Sequence, residues 1–182
     1  MDLFFETDRL VLRPPEDADV TAFVPLISDL RVARNLGPSV PHPYTLADGY
    51  NWVTKMRVKR ASGEDFSFGI ILKTTGEYIG CCSVYPKRDF EFGYWIGVPY
   101  WQNGYATEAA KRVARFAFDV LHAAKLKAHY IHDNQASERV LTKLGFQHSH
   151  DRVSFSAVRG EDVLGHYLEL TREPFENVSL AS

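Results

Sequence analysis

The chain has 182 residues, which suits one hydrophobic core and is too short for two comfortable ones, so a single domain over 1–182 is expected. Its 21 lysines and arginines against 23 acidic residues argue against a general nucleic-acid or membrane-surface binder. Adjacent Cys81 and Cys82 cannot staple distant segments, and neither a secretory leader nor a bilayer-length apolar run is present, so a soluble cytoplasmic protein with free thiols is expected.

Residues 9–13 set Leu10 and Leu12 against charged and branched neighbours and predict a first strand, ended by Pro14-Pro15. Glu16, Asp17 and Asp19 then load the first turn of a helix with Val20, Phe23, Val24 and Ile27 on one side, and Pro25 predicts a break or kink in it. Gly37, Pro38, Pro41 and Pro43 mark residues 36–44 as a loop. Thr45 caps a second helix running to Arg60, with Tyr50, Val53 and Met56 inward. Alternation of Phe66, Phe68, Ile70 and Leu72 predicts a strand, followed by strands over 78–85 and 90–98 in an antiparallel meander.

The last of these strands turns at Pro99, crosses Trp101-Gln102-Asn103-Gly104-Tyr105-Ala106 and enters a long helix. Ala106, Ala109, Ala110, Val113, Phe116, Ala117, Val120 and Leu121 form its core stripe. Charged residues fill the other side, with Glu108 set to pair with Arg112 four residues on. A strand, a glycine-bearing loop and a helix N-terminus in that order suit an anion: N–H groups point outward, the dipole favours negative charge, and Gly104 and Ala106 admit a phosphate to the backbone. An ordinary strand-to-helix turn has the same local pattern. The Gly-Lys-Ser/Thr ending of an ATP-binding P-loop is missing.

Residues 125–132 read as a strand with Leu126, Ala128, Tyr130 and His132 on one face. Asn134 caps a short helix with Ser137 at its third position, and Gly145 is the expected left-handed terminator. A hairpin of 147–156 and 163–171 follows, and the polar tail beyond Pro174 is expected to fray. Alternation puts His148 and His150 on one strand face, but no third ligand follows at convincing spacing, so no metal is expected.

Three motifs, in order and covering nearly the whole chain, resemble the GNAT N-acetyltransferases of the RimJ/RimL branch. They are Glu6-Thr7-Asp8-Arg9-Leu10-Val11-Leu12-Arg13, Tyr100-Trp101-Gln102-Asn103-Gly104-Tyr105-Ala106-Thr107-Glu108-Ala109, and Asn134-x-x-Ser137-x-x-Val140-Leu141-x-Lys143-x-Gly145-Phe146. The second is similar to the acyl-CoA pyrophosphate loop, (Gln/Arg)-x-x-Gly-x-(Gly/Ala). Trp101 occupies the Gln/Arg position, as is usual in this branch, and Gln102 stands where the branch favours glycine.

The resemblance implies an α/β GNAT fold, a mixed and mostly antiparallel sheet flanked by helices, with acetyl-CoA as co-substrate. It implies pyrophosphate contacts from Gln102, Asn103, Gly104, Tyr105, Ala106 and Thr107. It also implies a splayed strand end, Trp95, Ile96, Gly97 and Val98, whose backbone pairs with pantetheine and polarises the thioester carbonyl. Asn134 and Ser137 match residues that contact the pantetheine arm, and Ser137 matches the proposed donor to the leaving thiolate. Leu141 fills the position where many relatives carry an acidic tyrosine instead, which leaves Tyr130 and Tyr105 in reserve. Glu91, on the strand face of Gly93 and Trp95, matches the family's glutamate base, which is needed because a free α-amine has a pKa of about 8 and a lysine about 10.4. His42, Tyr44 and Trp52 match the variable acceptor segment, and Tyr94 on the central strand joins them as a candidate acceptor contact. Each has a plain structural role beside this one: strand-end solvation for Glu91, helix capping for Asn134 and Ser137, loop packing for the aromatics.

The implied reaction is direct acetyl transfer to a primary amine, either a protein N-terminal α-amine or a small molecule. A non-catalytic acyl-CoA-binding domain is the other class. The expected partners are acetyl-CoA and a peptide or small-amine acceptor, with no membrane or nucleic acid, and with a homodimer left open.

Overall fold

The computed structural model describes residues 3–180. Among these residues, eight strands form one sheet in the order β1-β2-β3-β4-β5-β6-β8-β7. They are β1 (Phe5–Glu6), β2 (Leu10–Arg13), β3 (Phe66–Leu72), β4 (Tyr78–Tyr85), β5 (Glu91–Ile96), β6 (Lys125–Ile131), β7 (Gln147–Ser156) and β8 (Glu161–Thr171). The helices are α1 (Val20–Ser28), α2 (Leu30–Ala33), α3 (Leu46–Ala61), α4 (Tyr105–Asp119), α5 (Gln135–Leu144) and α6 (Arg172–Leu180). Neighbouring strands are antiparallel except β5 and β6, which run parallel.

The two faces of the sheet carry separate cores. On one, the alanine-rich stripe of α4 lies flat, and Phe116 meets Phe5, Phe66 and Phe68 at ring-centroid distances of 5.2, 5.4 and 5.5 Å. Leu141 and Leu144 of α5 and Phe175 of α6 complete it. On the other face, α1 and α3 bury Val20, Phe23, Val24, Ile27 and Val53 against Ile71 and Tyr78. Every residue of β3 is therefore buried, as a strand covered on both faces requires.

Several expectations change. Helix α1 continues through Pro25, because Pro25 and Thr21, the residue whose carbonyl loses its partner, both lie on the exposed side. Tyr50 is 44% exposed, and Gly49 is buried in its place, where an added Cβ would lie 2.7 Å from a Val20 methyl. Val120 is also exposed, since α4 ends one residue earlier. Through Leu180 the tail is helix α6 rather than frayed: Phe175 packs tilted against Phe118 at 5.4 Å, and Arg172 donates to Asp119 at 2.6 Å, while residues 181–182 lie outside the described residues. Strand β7 contains a bulge between His148 and His150, so these two lie on opposite faces instead of one. Among the described residues, no helix is long and apolar enough to cross a membrane.

Candidate active site

The site is built around a seam that opens beside β5. That strand is registered with β4 from Tyr85↔Glu91 to Gly80↔Ile96, but with β6 only at Glu91↔Lys127. The Lys127 N–H donates to Phe90 O at 3.1 Å, and beyond this point the two strands part. Backbone groups alternate in direction along a strand. The Gly97 N–H donates to Ile79 O at 2.8 Å, so odd-numbered residues turn toward β4, and the backbone of Tyr94 and Ile96 turns toward the gap. Ile96 O accepts the Trp101 indole N–H at 2.7 Å, and Val98 begins the turn into the next loop. Of the strand-end residues predicted to line the gap, Ile96 does so with its backbone, whereas Trp95 and Gly97 are committed to β4.

Across the gap, the Tyr94 hydroxyl donates to Ser137 O at 3.2 Å and lies 2.9 Å from Ser137 Oγ. Burial pushes the Tyr94 phenol well above its ordinary value, and the bond to Ser137 only partly opposes this, so Tyr94 is protonated at neutral pH. Asn134 Oδ1 accepts the Ser137 N–H at 3.1 Å, which is the expected helix cap.

The loop that follows β5 leads into α4. Gly104 is the N-cap residue at φ +79°, with no side-chain cap, and the Glu108 N–H reaches its carbonyl at 3.1 Å. The N–H groups of Tyr105, Ala106 and Thr107 therefore have no intrahelical acceptor. Asn103 Nδ2 donates to Trp101 O at 2.9 Å and shapes the loop. Gln102 sits at φ +64°, a left-handed conformation that favours glycine at this position.

The first motif has a concrete role here. Glu108 accepts from Thr7 Oγ1 at 2.6 Å, from the Arg9 N–H at 2.9 Å and from Arg9 Nε at 2.7 Å. Arg9 also donates to Asn103 O at 2.9 Å and lies 4.7 Å from the Tyr105 ring centre. Glu108 thus does not pair with Arg112, whose guanidinium sits 3.8 Å over the Phe5 ring. The half-sheltered acceptor holds three donors from one turn, while Arg112 on its own helix is engaged by the Phe5 ring. Burial alone would raise the Glu108 carboxyl, but the bonds from Thr7 and Arg9 outweigh it and hold the group below its ordinary value.

Glu91, Gly93 and Trp95 face the α1/α3 side, where Trp95 packs on the second core. A Cβ added to Gly93 would meet no atom within 4 Å, so the sheet is open above it. Glu91 lies where β5 and β6 still pair, with Arg88 Nη1 at 3.6 Å. His129, two residues beyond Lys127 on β6, shares this face and borders the gap. It stacks on Tyr167 at 5.1 Å, which stacks in turn on His150 at 4.8 Å. Although His129 is exposed at the surface, desolvation by the surrounding protein lowers its pKa from the ordinary 6.5, with the Glu91 charge acting in the opposite sense, so the neutral imidazole predominates at pH 7. The sequence offered no signal for this placement, because it depends on the β5–β6 register.

The predicted acceptor residues divide. Tyr44 and Trp52 join Phe23 on the Trp95 side, with Trp52 edge-on to Phe23 at 5.5 Å. Tyr44 is buried, which pushes its phenol up to about 12. His42 is exposed in the loop before Tyr44. Tyr94 points the other way, to the α4/α5 face beside Phe92. Reserve Tyr105 lies under Arg9, and reserve Tyr130 lies 5.1 Å from the His166 ring.

One further residue frames the cleft. Arg159, in the β7–β8 turn, donates to Asp133 at 2.7 and 2.9 Å, to Arg34 O at 3.0 Å and to Asn35 at 3.0 Å. The hairpin turn is thereby tied to the end of α2 and to the loop before α5.

A parallel strand pair that parts beside an uncapped, glycine-started helix, within a mostly antiparallel sheet, defines the acyl-CoA-dependent acyltransferase class. Residues 9–147 match the acetyltransferase (GNAT) domain family, and the chain belongs to it as an acetyl-CoA-dependent N-acetyltransferase. The uncharacterized N-acetyltransferase YoaA of Bacillus subtilis (strain 168) is 30% identical over 146 residues, spanning 78% of this chain and 81% of YoaA. The ribosomal-protein-S5-alanine acetyltransferase of Vibrio fischeri superposes with a TM-score of 0.82 at 18% identity, over 94% of this chain and 98% of that one. RimJ of Mycobacterium smegmatis, solved in complex with CoA-disulfide, gives 0.82 at 18% identity, over 94% and 88%.

Proposed function

We propose that the protein acts as one domain over residues 1–182 and moves acetyl from acetyl-CoA directly to the α-amine of a protein N-terminus. The observation that carries this reading is the parting of β5 from β6, beside both the free N–H groups of α4 and an open sheet face above Gly93. Two substrates can then meet at one point from opposite sides of the sheet.

The pyrophosphate lies on the N–H groups of Tyr105, Ala106 and Thr107, where three donors and the helix dipole favour anionic oxygens. Gln102 and Asn103 complete the loop. The pantetheine arm enters the gap along the backbone of Tyr94 and Ile96, with Asn134 and Ser137 on its other side. The thioester carbonyl is polarised by a backbone N–H of β5 as the oxyanion forms. Glu91 takes the proton of the attacking amine, directly or through water, on the acceptor side. Nitrogen bonds to the acetyl carbon, the C–S bond breaks, the thiolate is protonated from the Ser137 hydroxyl, and solvent returns a proton to Ser137 while Glu91 releases the amine proton to solvent. Tyr44, Trp52 and Trp95 line the acceptor approach, with His42 at its outer loop. The choice of a protein α-amine is supported by the open sheet face above Gly93 and by the named activity of the S5-alanine acetyltransferase among the fold neighbours.

The test is thiol release from acetyl-CoA with Ser- and Ala-starting peptides, polyamines, amino acids and aminoglycosides as acceptors. Turnover with peptides alone supports the proposal. Turnover with only a small amine moves the function to metabolism or detoxification, and binding of acetyl-CoA without any turnover leaves a sensor domain.

A further inference from the structure

The bulge in β7 builds a second constellation, on the β7–β8 hairpin. The register of β7 with β8 runs His148↔Leu168, then His150↔Tyr167 and Asp151↔His166. Ser149 is the extra residue, and it resets the alternation. His150 consequently joins the Tyr167 stack on the acceptor side. His148 shares the opposite face with Asp151, three positions on, and with His166 directly across from Asp151. In an unbulged strand His148 and Asp151 would point to opposite faces.

The three side chains converge. His148 Nε2 is 2.7 Å from Asp151 Oδ1, and His166 Nδ1 is 2.8 Å from the same oxygen. All three ligand-type atoms lie within 4.8 Å of one another. His166 is the anchored member, tilted against Tyr130 at 5.1 Å and edge-on to His148 at 6.2 Å. Its side chain is 24% exposed, against 57% for His148 and 46% for Asp151, so one ligand is held by its surroundings and two have room to adjust.

We propose that His148, Asp151 and His166 form a binding site for a divalent transition-metal ion of the Zn²⁺, Co²⁺ or Ni²⁺ type. Two imidazoles and one carboxylate suit these ions, whereas Mg²⁺ and Ca²⁺ favour all-oxygen shells. Metal–nitrogen bonds of about 2.0–2.1 Å put ligand atoms roughly 3.3 Å apart around a tetrahedral ion. Rotation of the exposed His148 and Asp151 side chains reaches that spacing, and water takes the open position. The ion would tie β7 to β8, the hairpin whose turn carries Arg159. It is a site for binding and bracing on the hairpin, and it includes none of the residues assigned to acetyl transfer.

The experiment is calorimetric titration of the untagged protein with zinc chloride, paired with NMR of the histidine ring nitrogens. The expected result is saturation at one equivalent, with ring signals of His148 and His166 shifting and that of His150 unmoved. Asp151→Asn and His166→Gln should each weaken binding by at least roughly 10–100-fold, the usual cost of losing even an outer-shell partner, while His150→Gln, next along the strand but on the other face, leaves it within about twofold. Magnesium chloride should give no saturable heat. Three results would overturn the proposal: no saturable zinc binding, which leaves a hydrogen-bonded cluster only; equal loss in His150→Gln and His166→Gln, which means scattered histidine contacts; or unchanged binding in Asp151→Asn.

Discussion

Along its β4 edge, β5 is paired from Glu91 to Ile96, and along its β6 edge it is paired at Glu91 alone. The same contrast separates the two halves of the sheet. All seven residues of β3 are buried under helices on both faces, whereas nine of the ten residues of β7 are exposed. The first half is a packed block that fixes β5 and the start of α4. The second half is a lightly covered hairpin held by side-chain ties such as Arg159 to Asp133. Chemistry at the boundary gains a rigid wall on one side and a wall with room to vary on the other.

This division can be broken at chosen residues. The largest expected effect is at Glu91: Glu91→Gln should lower kcat by about 10²–10⁴-fold while the dissociation constant for acetyl-CoA stays unchanged, since only the proton acceptor is lost. Steady-state kinetics with a reactive peptide checks this. Near-normal turnover would shift the proton-accepting role to the neutral His129 beside it.

Next is Gly93→Leu, which fills the open space on the acceptor face. It should raise the acceptor KM by about 10–100-fold, the scale of one misplaced apolar group in a substrate pocket, with acetyl-CoA binding retained. Equal loss of both substrates would mean that the two faces are not separate.

A smaller effect belongs to the loop. Gly104 has φ +79°, so Gly104→Val should weaken acetyl-CoA binding by about 5–100-fold, corresponding to roughly 1–3 kcal/mol of backbone strain. Acceptor KM should not move.

The smallest concerns Glu108, whose folded carboxyl lies below its ordinary value of 4.5. A depressed carboxylate pKa gives stability that is fully present above the unfolded value and is lost as pH falls through the folded one. Glu108→Gln should lower Tm by about 2–4 °C at pH 7, for roughly 1 kcal/mol in a chain of this size. The gap between variant and wild type should close as melts are repeated below pH 4.5. A constant gap would show that shape, not charge, holds the Thr7–Arg9 clamp.

Much of the rigid half was legible in the sequence because local rules and tertiary structure agree there. Alternation marked β3 and the alanine stripe marked α4, and in the other half Asn134 and Gly145 bounded α5 as their capping chemistry requires. The loop of the candidate site was legible for the same reason, whereas Ser137 was legible locally only as part of the helix cap and entered the site through the family resemblance. What escaped were features fixed by partners far along the chain. Glu108 chose Thr7 and Arg9 over Arg112, and Tyr94 turned from the acceptor face to reach Ser137. His129 met the gap only through the β5–β6 register. Phe175 folded a polar tail into a helix by finding Phe118. The Ser149 bulge is invisible to period-two reasoning, which is why His148 and His150 were placed together.

The most direct test of the seam is a backbone amide NMR titration with acetyl-CoA. The account predicts saturating shifts at Tyr94 on the open edge of β5 and at Tyr105, Ala106 and Thr107 at the start of α4, with the β1–β3 amides unmoved. Acetyl-CoA that binds while these four amides stay still, and others shift instead, would contradict it.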